Sequence, residues 1–598
     1  MSSQAIVATS ARVVRGSVMG SPQATTILRL RVQAVPIEMV QLARSALASQ
    51  LPRWFSEGGD LSGAGALLVS GALGVVTLLA ELIAAIQREA GIAVAKPLKA
   101  GCHIADQDAA TLYVPTQHLK ASEISIRWAG LLLNELLSAN PQCDVAKAVD
   151  DARERLKSFA EKGVNNVFIL QAAFELGIPV IRPLGNVLVL GTGGRSRWLQ
   201  SLISDETPML GTQFAQEKHV TSTLLRAAGL PGGIHQLVKS KEQAMQAAEA
   251  LGYPVVVKPA DADRGAGVAA GLKDAISVAL AFDAAAKVSR NVLVERWAPG
   301  HTHRLTVQDG QVIRVVRRIA GGVVGDGEHS IEELVALFQQ TEQQQRFARR
   351  LGHQPLTLDE EALALLGERG LTAQSRPAAG EYIRLRRRDN VNAGGTNEEL
   401  VPDDPSMVHP DNLRLAIEAA RVLRLDFAGI DLITTDIARS WLEVGALICE
   451  VNARPQMGGN NDPLLYQRLL KRLFPNGATI PAELMVVPES PTEQERIKNA
   501  LLRQHGELAI SLSSGLWIDG RRSTLGFKHS FEAAQALLLR REVTRALCCM
   551  TAKDIHQHGL PLPKWNAVKL VADAVFTPEE AKVLASIKPW LQAAVQVP

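Results

Sequence analysis

Three oxygen-bearing side chains in one stretch give the first chemical lead. In residues 425–455, LDFAGIDLITTDIARSWLEVGALICEVNARP, Asp431 lies inside the apolar run 427–434, a second apolar run spans 446–451, and Glu450 and Asn452 alternate at its end. Both runs read as strands, and the short mixed segment 436–443 as a hairpin connection. In a strand, residues i and i+2 share a face, so Glu450 and Asn452 point the same way, and pairing of the two strands lets Asp431 join them. Two carboxylates and an amide oxygen on one sheet face suit Mg2+, a hard cation that prefers carboxylates, amides, waters and phosphates. The plain alternative is a set of acidic strand ends, which are common and hold no metal.

A second group could bind phosphate. Lys258 ends the β-branched strand PVVVKP, where a buried ammonium is costly unless it meets an anion. That makes Lys258 a candidate for the α- and β-phosphates of ATP. The residues that follow include RGAGV, and the amides beside Gly265 and Gly267 could approach phosphates closely. An earlier glycine turn, GTGG at 191–194, is too common a feature to carry an assignment alone. Lys218 stands at the start of a helical segment, where a solvated lysine is the ordinary occupant. No GxxxxGK[ST] phosphate loop occurs in the sequence.

The elements that must position these groups follow from composition and periodicity. With 598 residues the chain has room for three or four domains, each with a core. Apolar content of 46% and charged content of 21% are those of a globular protein. Sixty-four basic residues against 61 acidic ones leave a net charge of +3, so charge gives no case for a nucleic-acid partner. The five cysteines show neither disulfide nor zinc spacing, which sets a cytoplasmic location as the expectation. The first residues lack the continuous apolar core of a signal peptide. Residues 61–80 are uncharged, but they are rich in Gly, Ala and Ser and run on through Glu81 into LIAAIQREAG. A buried helix is expected there, and no membrane span.

Residues 1–162 read as a mixed α/β unit, with strands at 27–35, 110–114 and 123–126 and helices at 128–137 and 144–161. From 163 strands and helices alternate. A polar helical insertion is expected at about 336–380, and an amphipathic helix with Pro near its start at 409–426. The fold class is α/β (α+β).

The order strand, Lys-Pro, polar stretch, GxG, then D…EVNARP resembles the ATP-grasp ligases, and among them the ATP-grasp half of cyanophycin synthetase, over roughly residues 160–460. VVGDGEHSIEEL (323–334) is the most family-specific string. The resemblance implies an ATP-grasp domain at 163–484, an N-terminal cyanophycin synthetase-like domain at 1–162, and a Mur-ligase-like remnant without a phosphate loop at 485–598. It implies ATP and Mg2+ as cofactors. Lys218 would face the nucleotide phosphates, Glu295 would accept from the adenine amino group, and Arg296, Trp297 and Ala298 would give backbone contacts. Thr302 stands where relatives carry an acid for the ribose hydroxyls. Arg386, Arg318 and Asn390 become the expected catalytic group, set near the Gly394-Gly395-Thr396 loop in which Asn392-Ala393 replaces the Ser-Thr of relatives. Where relatives can carry an HxxEH metal pattern on a helix of the N-terminal domain, this chain reads LGVVTLLAEL, so no hydrolase site is expected there.

The implied activity is carboxylate–amine ligation through an acylphosphate, resembling the shortened second type of cyanophycin synthetase, which would polymerise β-aspartyl-arginine dipeptides on a peptide or polymer acceptor. Single-step addition of one amino acid to another acceptor is the alternative within the same chemistry. A weakly catalytic scaffold that binds ATP is the alternative outside it. A homo-oligomer is expected, with the tail structural or in contact with another subunit.

Overall fold

Strand alternation and helical spacing sort these residues into two compact units, one of residues 202–457 and one that joins 1–201 to 458–598. The computed structural model describes residues 5–55, 72–97, 102–106, 109–163, 165–183, 185–261, 267–341, 355–387, 389, 394–457, 462, 464–504, 508–571 and 574–596. The α/β class expected from the sequence is the class observed.

In the first unit, strands Ile6–Val14, Thr25–Val32, Ala109–Pro115 and Cys102–Asp106 form an antiparallel sheet. Helices Ala72–Glu89 and Leu119–Leu136 share a core with it. The strand expected at 123–126 is a correction. Those residues lie within helix Leu119–Leu136, because Ala121, Ser125, Ala129, Leu132 and Leu136 recur at helical spacing and are buried together. EISI alternates for only four residues, too short a pattern to outweigh that stripe.

Of the uncharged segment 61–80, residues 61–71 lie outside the described residues, and the rest begins helix Ala72–Glu89, which runs on through Glu81 as expected. Glu81 is buried there against Arg44, and burial holds its carboxyl above the usual range despite that partner. Among the described residues no helix is long and apolar enough to cross a membrane.

The C-terminal segment of the same unit builds a six-stranded sheet in the order Arg521–Arg522, Gly515–Ile518, Ala509–Leu512, Ala546–Thr551, Ala482–Val487, Ala567–Leu570, with parallel pairing through its centre. Such a sheet needs apolar cover on both faces. Part of that cover comes from the other end of the chain: Val14, Val18 and Ile27 share one core with Leu484, Val486 and Trp565. Cys548 and Cys549 are buried in strand Ala546–Thr551 as free thiols.

The second unit, which contains the candidate site, is built around two larger antiparallel sheets. One is ordered Ala269–Leu272, Val255–Pro259, Val292–Arg296, His235–Val238, and packs on helices Lys241–Leu251 and Ala275–Ala286. The other is ordered Thr396–Leu400, Gln311–Ile319, His301–Gln308, Phe427–Thr434, Leu447–Asn452. Leu305, Ile430, Leu432, Ile448 and Val451 turn to one face of this second sheet and bury against helix Pro410–Val422. Period-two alternation therefore sends Arg304 and Asp431 to the opposite face. Helices Ile331–Gln340 and Glu360–Glu368 share a small core with the two-stranded sheet Gly322–Val324 and Tyr382–Arg384.

Candidate active site

The polar face of the five-stranded sheet carries a row of charges in register. Glu450 pairs with Asp431 across one strand boundary, and Asp431 pairs with Arg304 across the next. A β-bulge makes this possible. Leu432 opposes Ile448 while Asp431 opposes Glu450, so Cys449 is the extra residue. Without it, Glu450 would share the face of Ile448 and enter the core. With it, Glu450 and Asn452 both lie on the face of Asp431.

Asp431, only 2% exposed, is gripped by two arginines. Arg304 Nη2 donates to its Oδ2 at 2.8 Å, Arg304 Nε donates to its Oδ1, and Arg318 Nη2 lies 3.4 Å from Oδ1. Burial alone would raise the Asp431 carboxyl, but Arg304 and Arg318 outweigh it and hold it below the usual carboxylate range. The same pairing holds the Arg304 guanidinium above its ordinary value against the effect of burial. The carboxyl of Glu450 interacts directly with Asp431. Two adjacent carboxyl groups are an arrangement that a cation relieves. The Asn452 amide donates weakly to the Gly429 carbonyl at 3.5 Å, which leaves its oxygen as an acceptor. The donor set of Asp431, Glu450 and Asn452 is all oxygen and fits Mg2+, with Glu450 the carboxylate not already held by an arginine.

Gly429 gives Arg304 its place. A β-carbon there would fall 2.9 Å from both Arg304 Nη1 and Pro455 Cβ. Gly429→Ala is expected to push the guanidinium off Asp431, with a loss of about 1–3 kcal/mol in stability and a fall in turnover. Thermal unfolding and ADP release measure the two effects, and an unchanged protein by both would mean Arg304 does not need this space.

Lys258 and Glu295 lie on neighbouring strands of the other sheet, 8% and 3% exposed, and form an ion pair. Burial would lower the Lys258 ammonium, but Glu295, with smaller help from Cys449 and Glu450, holds it above its usual value. Lys258 therefore stays charged and lies within the field of Glu450, which brings the lysine and the oxygen trio into one electrostatic neighbourhood. Cys449 shares it: its Sγ is 3.4 Å from the Asp431 carbonyl oxygen, and burial pushes its thiol far up.

The other expected residues divide. Lys218 opens helix Lys218–Ala227, which packs against the strand of Glu450. The Arg296 and Trp297 amides donate to the carbonyls of Ile234 and Pro254, so of that trio the Ala298 amide alone has no bond partner among the described residues. Thr302 donates to Asp389, whose other oxygen takes Arg384. Gly267 has a left-handed backbone (φ +69°) and sits where a β-carbon would crowd Pro259 and Val288. Gly265 and Asn390 lie outside the described residues.

Arg386 is engaged by other partners. Its guanidinium is 6% exposed and donates to Asp359, to the Leu385 carbonyl and to Thr357, tying its loop to the N-terminus of helix Glu360–Glu368. Arg304 occupies the position sequence reasoning gave no role. An arginine inside the otherwise buried strand HTHRLTVQ was the available signal, since such a charge requires a partner.

The family described as D-ala D-ala ligase C-terminus matches residues 224–328. Cyanophycin synthetase of Trichormus variabilis is 30% identical over 441 residues, 71% of this chain and 48% of that protein. The glutathione biosynthesis bifunctional protein GshAB of Enterococcus faecalis is 30% identical over 282 residues, 44% of this chain and 35% of that protein. Among solved structures, the bifunctional glutathione synthetase of Pasteurella multocida aligns with a TM-score of 0.40 at 23% identity, covering 60% of this chain and 50% of that one. The chain spans about half the length of the cyanophycin synthetases it matches. The resemblance to cyanophycin synthetases drawn from the motifs agrees with these matches.

Proposed function

We propose that this chain is an ATP-dependent carboxylate–amine ligase whose active site lies on the polar face carrying Arg304, Asp431, Glu450 and Asn452, beside Lys258. The observation that carries the reading is the meeting of a buried, charged lysine with adjacent carboxyl groups and two arginines. In the reaction, a substrate carboxylate takes the terminal phosphoryl group of ATP and ADP leaves. An amine then attacks the acylphosphate, phosphate departs, and an amide remains. Asp431, Glu450 and Asn452 would hold Mg2+, which when bound neutralises phosphate charge. Lys258 supplies a fixed cation for phosphate, and Arg304 and Arg318 supply planar donors suited to phosphoryl and carboxylate oxygens. Arg386 takes the supporting part, held by Asp359 and Thr357.

The similarity to cyanophycin synthetases supports a finer reading. On this reading the chain, whose sequence has no GxxxxGK[ST] phosphate loop, adds preformed β-aspartyl-arginine dipeptides to a growing chain at this nucleotide site in a cytoplasmic setting. The 1–162, 163–484 and 485–598 segments are its proposed domains. A second reading, a scaffold that binds ATP without turnover, draws on the full engagement of Asp431 by arginines. Amine-dependent ADP release from a panel of free amino acids and dipeptides, β-aspartyl-arginine included, with product masses, separates these. Rapid release with the dipeptide alone is expected. Release with one free amino acid gives the single-addition reading, and ADP release that no amine stimulates overturns the ligase.

A further inference from the structure

A different cluster in the first unit combines residues from two helices. His529 is the residue preceding helix Ser530–Leu538 and makes no side-chain capping bond. Asp554 and His558 belong to helix Ala552–His558 at i and i+4, so they stand on one face. The three side chains each offer one ligand atom, and those atoms lie within 4.8 Å of one another. Three further observations show an organised arrangement. Asp554 Oδ2 accepts from both the amide and the hydroxyl of Ser530, at 2.7 and 2.6 Å, which fixes the carboxylate. Its Oδ1 then faces His529 Nδ1 at 3.3 Å. The two imidazoles sit 4.4 Å apart, and His558 Nε2 is buried with no hydrogen-bond partner among the described residues. A buried ring nitrogen without a partner costs free energy unless something ligates it.

We propose that His529, Asp554 and His558 form a binding site for a borderline divalent metal ion of the zinc class. Two imidazoles and one carboxylate are a recurring protein donor set for zinc, with a water completing four-coordination. Zinc bonds of about 2.0–2.2 Å hold tetrahedral ligands roughly 3.4 Å apart. Side-chain rotation closes the remaining distance without moving the helices. The backbone of His558 and Leu560 accepts hydrogen bonds from Gly16 and Ser17, so the ion ties helices 530–538 and 552–558 together at the place where the chain's N-terminal segment docks.

The test uses the full chain, stripped with chelator and then freed of it, in excess Mg2+ so that the oxygen trio does not compete. Equilibrium dialysis against Zn2+ with elemental analysis should give one equivalent, and added Zn2+ should raise the melting temperature. His529→Gln, Asp554→Asn and His558→Gln each remove a direct ligand, so each should weaken binding by at least the roughly 10- to 100-fold that losing an outer-shell partner costs and lose the zinc-dependent rise. Glu450→Ala should bind zinc as the parent does. Metal-free melting equal to the parent identifies the variants that fold. His529→Gln, which removes no capping bond, is the variant least exposed to misfolding. Absence of zinc from the parent, or parent-like affinity in a folded His529→Gln or His558→Gln protein, overturns the site.

Discussion

Glu450→Ala is expected to abolish amine-dependent ADP release at saturating Mg2+ while the melting temperature stays that of the parent. The reason lies in how differently the two acids of the site are held. Asp431 balances the buried Arg304, so its removal would leave an uncompensated guanidinium at a cost of about 3–5 kcal/mol. A dead Asp431 variant would therefore say little about chemistry. Glu450 is half-buried, and among the described residues it has no basic partner within ion-pair distance. Its removal breaks no ion pair and takes away the carboxylate most available to a metal. A fall of at least roughly a hundredfold in kcat, the scale of losing one fixed electrostatic group, is expected. Turnover near the parent's would remove Glu450 from the metal assignment.

Lys258→Met is expected to lose nearly all ATP turnover, but it also strands Glu295, and breaking a buried pair costs about 3–5 kcal/mol. The informative protein is Lys258→Met combined with Glu295→Gln. Neutralising both partners should restore most of the melting temperature, since a neutral amide is far cheaper to bury than a lone carboxylate. It should not restore ATP binding or ADP release, because the phosphate-facing charge is still gone. Glu295→Gln alone reports the share that belongs to Glu295. Substantial ATP hydrolysis in the double variant would point to a second nucleotide site elsewhere in the chain.

Much of the site was legible in the sequence because strand periodicity is strict. Asp431, Glu450 and Asn452 were drawn together from two apolar runs and an i, i+2 spacing, and Lys258 from the cost of burying an ammonium at the end of PVVVKP. Helix Pro410–Val422 was readable from its helical spacing and from the Pro at its first turn. Where a pattern was short, local reading failed. EISI at 123–126 alternates like a strand, yet it contributes about one turn to a longer buried helical stripe, and the longer pattern wins because it buries more surface.

By itself, then, the sequence determined the α/β class, the positions of the strands that carry the acids, and the resemblance of residues 160–460 to cyanophycin synthetases, with which the matched relatives agree. Tertiary structure decided three things. It placed a bulge at Cys449, which turns Glu450 out of the core and onto the face of Asp431; spacing cannot show this, because an extra residue is visible only against the partner strand. It chose the partners of the charges, giving Arg304 to Asp431 and Arg386 to Asp359, since a buried guanidinium takes whichever carboxylate the fold brings within bidentate reach. It also joined the two ends of the chain, with Val14 and Val18 in one core with Leu484 and Trp565, because the central strands of a parallel sheet need apolar cover from whatever segment lies near in space, however distant in sequence.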